Sequence, residues 1–92
     1  MDDDRQTLQA IAALGEGMES ILKSDAFETG LTLARARIFE GWASSADPEE
    51  RENLHAEMRA LERLLGAFKT LDDEGVVARE AIRQMQESDT DL

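Results

Sequence analysis

The chain has 92 residues, with 21 Asp and Glu against 10 Lys and Arg, and a formal charge of −11. That length fits one domain spanning 1–92, and a pI near 4.3 excludes the basic face of a phosphate-backbone binder, so no direct nucleic-acid binding is expected. Absence of cysteine removes disulfides, thiolate zinc sites and cysteine nucleophiles together, and charges interrupt every apolar run before it reaches the length of a membrane span.

The first predicted helix covers about 5–23. Leu8, Ile11, Leu14, Met18, Ile21 and Leu22 fall within an arc of about 140° at helical spacing. Gly15 and Gly17 interrupt it, at up to about 1 kcal/mol each relative to alanine. Either the helix bends there or another backbone comes close. A second helix is predicted at about 25–43, starting from a Ser24-Asp25 cap. Its Phe27, Leu31, Ala34, Ile38 and Trp42 form a heptad-like seam, with Phe39 flanking it. Leu33 points almost opposite to that seam, so another helix of the chain or a second chain must cover it.

Ser44-Ser45-Ala46-Asp47-Pro48 is a turn. Asp47 as N-cap, Pro48 at the first helical position and Glu50 two residues on resemble a capping box. The third helix is predicted at about 48–72, on the stripe Leu54, Met58, Leu61, Leu65 and Phe68, widened by Leu64 and Leu71 to about 140°, with Gly75 as a left-handed C-cap. A short fourth helix at about 76–87 places Val77, Ala78, Ala81, Ile82 and Met85 on one face, and 88–92 reads as a frayed tail. The expected fold is all-α: an antiparallel helical hairpin of the second and third helices, flanked by the first and fourth.

Few residues offer chemistry. Glu52 and His55 have the Glu-x-x-His spacing of helical carboxylate metal sites, but both fall outside the apolar stripe, where a metal site would have to lie. With one His, no Tyr and no nucleophile elbow, a hydrolytic triad has no motif to support it. Gly15-Glu16-Gly17 sets an acid where a phosphate loop needs none. No enzymatic activity, metal or cofactor is expected. The bases gather at Arg35, Arg37, Arg59 and Arg63, and read either as a solvated face paired with Glu62, Glu52 or Glu40, or as a partner-binding face. Leu33, Arg37, Phe39 and Trp42 are the candidate partner-binding residues, and the first helix is expected to share their surface.

From Phe27 through Ile38-Phe39-Glu40-Gly41-Trp42 and Asp47-Pro48-Glu49-Glu50-Arg51-Glu52-Asn53-Leu54 to Leu65, the chain resembles short acidic helical-hairpin proteins encoded among the head and packaging genes of tailed bacteriophages. Gly75-Val76-Val77-Ala78 matches the Gly-x-x-Ala of that pattern, and the resemblance spans about 25–80. It implies a virion-associated or assembly protein and assigns no catalytic residue. The expected function is therefore protein–protein interaction through helical apolar seams, with a protein partner, a homo-oligomer or both. The alternative is an acidic inhibitor occupying the nucleic-acid groove of a host defence protein, steered there by charge. An acidic start at Asp2-Asp3-Asp4 is the opposite of a signal-peptide n-region, so the expected location is the host cytoplasm or the virion.

Overall fold

The computed structural model describes residues 2–90, which form three helices: α1 (Asp2–Leu22), α2 (Asp25–Ser44) and α3 (Pro48–Thr90). Among the described residues there is no strand. α3 is 43 residues long. At 1.5 Å per residue it spans about 65 Å, and the whole chain measures 70 × 25 × 14 Å. The molecule is a rod two helices wide.

α1 and α2 lie end to end along one side of α3, both antiparallel to it. Arg5 reaches Asp89, Gly15 meets Gly75, Phe27 packs on Phe68 and Gly41 meets Leu54. Each pair sits at nearly the same distance from the turn at 45–47. The junction between α1 and α2 is two residues wide. Ser24 there adopts extended backbone (φ −68°, ψ 131°), and its hydroxyl accepts a hydrogen bond from the Phe27 N–H. Opposite that junction the α3 seam skips one residue, passing Leu65, Phe68 and Leu71 at steps of three before resuming the alternation of four and three through Gly75, Ala78, Ile82 and Met85. The break in one strand thus coincides with a phase change in the other.

At the turn, Asp47 Oδ1 accepts from the Glu49 N–H at 3.1 Å, which is the predicted N-cap of α3. The reciprocal bond comes from Ser45, whose Oγ accepts from the Asp47 N–H at 3.2 Å, and not from Glu50. Asp47→Ala leaves the Glu49 N–H to water while the Ser45 bond to the residue-47 N–H remains, and is expected to cost about 1 kcal/mol, read as a lower thermal midpoint.

Two expectations need correcting. Gly75 does not end the third helix: it is helical and lacks positive φ, and the predicted fourth helix at 76–87 is the continuation of α3. A Cβ on Gly15 would lie 2.5 Å from Gly75 Cα, so the two glycines mark where the α1 and α3 backbones touch. No bend is needed at Gly15. Gly17 faces open space. The second correction is that the α2 seam passes through Gly41 instead of Trp42, because a Cβ at 41 would meet Leu54 Cδ1 at 3.3 Å while Trp42 stands 39% exposed. Residues 88–90 continue α3, and 91–92 lie outside the described residues.

Little is buried. Among the described residues the buried apolar side chains are Ala12, Leu65 and Ala78. The accessible surface is 6922 Å², against about 5,300 Å² for a compact monomer of this mass. The radius of gyration is 19.6 Å, against about 12 Å for a compact domain of this length. Side-by-side packing of two long helices leaves two broad faces open, and the composition of those faces decides what the chain can do.

Candidate interaction faces

Three triplets define the faces. Gly15, Ala34 and Ala78 each face the opposing helix. At 100° per residue, the residues before and after a seam position are thrown to opposite sides of the rod. The triplets read Leu14-Gly15-Glu16, Leu33-Ala34-Arg35 and Val77-Ala78-Arg79. Around the seam leucines Leu61 and Leu65, Glu62 follows one and Leu64 precedes the other. In these triplets the residue before the seam is a large apolar side chain and the residue after it is charged.

The charged residues meet one another. Arg79 spans Glu16 and Glu19 at 3.5 and 3.6 Å. Arg35 grips Glu62 bidentately, Nε to Oε1 at 2.7 Å and a terminal nitrogen to Oε2 at 2.9 Å. Lys23 binds Glu19 at 2.6 Å. The Lys23 hydrogen bond holds the Glu19 carboxyl below its ordinary range, and Arg35 does the same to Glu62. Arg83 lowers Glu80 likewise, on the outer side of α3. Carboxylates with a depressed folded pKa stabilise the fold above the ordinary carboxylate range and lose that contribution as pH falls through the lowered values. All lie at the surface, Glu19 half-buried and the others exposed, so solvent screens the effect. Acidification from about pH 6 to about pH 3 is expected to weaken the Arg35–Glu62 bridge. Circular dichroism melts of Arg35→Gln should show a smaller acid-induced fall than the wild type.

The same face ends near the turn in an aromatic cluster. Phe39 and Trp42 stack at 6.3 Å between centroids, and the Arg51 guanidinium lies over Trp42 at 4.1 Å. His55 and Met58 complete a shallow pocket with Ile38 and Leu54. Glu52 and His55 are both exposed, sharing a neighbouring hollow with Trp42 and Arg51, and among the described residues no group of three or more His, Asp or Glu converges as a metal site would require.

The other face carries Leu14, Leu33, Leu64 and Val77, exposed by 48, 51, 53 and 69%. Between the helices it holds two apolar grooves. One, between α2 and α3, is lined by Ala26, Gly30, Ala34, Leu61, Leu64 and Phe68. The second, between α1 and α3, includes Ile11, Thr70, Glu74 and Val77. Among the described residues no helix covers Leu33.

The four predicted partner-binding residues therefore do not share a surface. Leu33 and Arg37 lie on the grooved face, while Phe39, about 120° from Leu33, joins Trp42 on the ion-paired one. Sequence reasoning missed Leu14, Leu64 and Val77, which it assigned to buried stripes; the triplets around each small seam residue were the available signal. Comparison with known proteins finds no matching family, no matching curated protein and no matching solved structure.

Proposed function

We infer that the chain is a non-enzymatic interaction protein that engages a protein through the grooved face of the rod. The observation that carries this reading is the division of labour between faces: the interhelix ion pairs stand on one, and Leu14, Leu33, Leu64 and Val77 stand uncovered on the other. Contiguous apolar surface beyond a few hundred Å² on a small protein marks an interaction site. The resemblance to hairpin proteins of tailed-phage head and packaging genes supports a role as a virion-associated or assembly accessory protein.

Light scattering and pull-downs against the products of neighbouring genes test the reading. A stoichiometric complex, with itself or with a virion protein, is expected, and Leu33→Glu should abolish it while helical dichroism persists. A strict monomer that binds none of those products would overturn it.

A second reading, an acidic occupant of a nucleic-acid groove, draws on uneven charge: 1–25 and 72–92 together hold 13 acids and 4 bases. The ion pairing of Glu16, Glu19, Glu80 and Asp89 weighs against it, because phosphate mimicry needs unneutralised carboxylates. Affinity for a defence nuclease that collapses with salt would favour this second reading.

A further inference from the structure

Resting on the reading of the grooved face as an interaction surface, we propose that its occupant is a second copy of this chain, laid antiparallel so that the two rods form a four-helix bundle. Three observations lead there.

The first is register. The midpoint of the rod lies at the α1–α2 junction, level with Ser24 on one side and Leu71 on the other. Leu14 stands ten residues before Ser24 and Leu33 nine after it; Leu64 stands seven before Leu71 and Val77 six after it. A twofold axis across the rod at this level inverts one copy onto the other. It sets Leu14 of one copy over Leu33 of its partner, and Val77 over Leu64, four times per dimer. The exposed apolar side chains are thus self-complementary about the middle of the molecule, as an isologous interface requires.

The second is area. From the level of Leu14 to that of Leu33 the patch runs about 28 Å, and the rod is 25 Å across. That is about 700 Å² per copy, close to the 800 Å² or so per partner of a standard stable interface.

The third is charge, which selects between the two symmetric ways of stacking the rods. The half built from 1–25 and 72–92 carries −9, and the half built from 26–71, with 8 acids and 6 bases, carries −2. Parallel stacking would lay −9 on −9. Inversion lays each −9 half on a −2 half and reduces the repulsion. It also carries Arg37, which makes no ion pair among the described residues, onto the acidic half of the partner.

Since the chain contains no cysteine, single-cysteine variants report the arrangement directly. Thr70 is exposed on the grooved face, one residue from the twofold level. Lys69, beside it, faces Glu62 on the other side. The expected results are a mass of about 20 kDa by light scattering at micromolar concentration, twice the 10.2 kDa chain, and oxidation of Thr70→Cys, but not Lys69→Cys, to a disulfide dimer. Leu33→Glu and Val77→Glu should each raise the dimer dissociation constant tenfold or more while keeping helical dichroism. A wild-type monomer throughout the micromolar range overturns the second copy as occupant. A virion protein whose binding is lost in Leu33→Glu would in that case leave the broader reading of the face standing. A dimer in which Lys69→Cys cross-links and Thr70→Cys does not overturns the assignment of the face.

Discussion

Gly15→Ala is expected to lower the thermal midpoint, whereas Gly17→Ala, two residues along the same helix, is expected to raise it. Both substitutions gain up to about 1 kcal/mol of helix propensity. At Gly17 nothing opposes the gain, since an added methyl meets open space. At Gly15 the methyl would sit 2.5 Å from Gly75 Cα and 3.0 Å from the Leu71 carbonyl oxygen, and both are backbone atoms that cannot swing away. α1 and α3 would have to separate along the whole crossing, and overpacking of this kind costs about 1–3 kcal/mol. With the propensity gain subtracted, the net loss is up to about 2 kcal/mol, and in a domain of this size each kcal/mol moves the midpoint by about 4–8 °C. Gly75→Ala should behave like Gly15→Ala, because its methyl would lie 2.6 Å from Gly15 Cα. Equal shifts at 15 and 17 in circular dichroism melts would place the backbone contact elsewhere.

Leu65→Ala is the larger loss, about 2–4 kcal/mol. Leu65 is the most buried large side chain, at 8% exposure, and it anchors the α2 half of the seam beside the Phe27–Phe68 contact. The adjacent groove is open, so solvent and neighbours can take up part of the vacated volume, which argues for the lower half of that range. Its neighbour provides the contrast. Leu64 is 53% exposed, and Leu64→Ala should leave the stability of a single chain within about 0.5 kcal/mol of wild type. Comparable losses in urea denaturation at low protein concentration would mean that the seam runs through the wrong residue.

Much of this fold is legible in the sequence because local signals and the periodic pattern agree. Ser24 and Asp47 cap where caps were expected, and α1 and α2 end within a few residues of the limits set by their apolar stripes. The misreading at Gly75 has a definite cause. Glycine after an acidic run is the ordinary mark of a helix end, but it is also what two backbones need in order to touch, and a single chain scanned locally does not separate the two. The discriminating sign is non-local. Leu71, Gly75, Ala78, Ile82 and Met85 keep the alternation of four and three straight through the glycine, and Gly15 and Gly75 lie at nearly the same distance from the turn. At the candidate site, Leu33 announced itself because it opposes its own helix's seam. Leu64 and Val77 did not, since an apolar stripe of about 140° is wider than the contact one neighbouring helix can cover.

The chain reverses direction once, at Ser45–Asp47, and every contact between strands is closed by that single turn. Sequence separation therefore grows steadily along the rod, from the Gly41–Leu54 contact beside the turn to the Arg5–Asp89 pair, 84 residues apart. Loop-closure entropy rises with separation, and each closed level shortens the loop to the next, so the favoured order of assembly is a zipper that starts at the turn and finishes at the open end. Contacts far from the turn then form after the rate-limiting barrier. A lesion at Gly15 or Gly75 should leave the refolding rate nearly unchanged and act through faster unfolding, while one at Leu65 should be shared between the two rates.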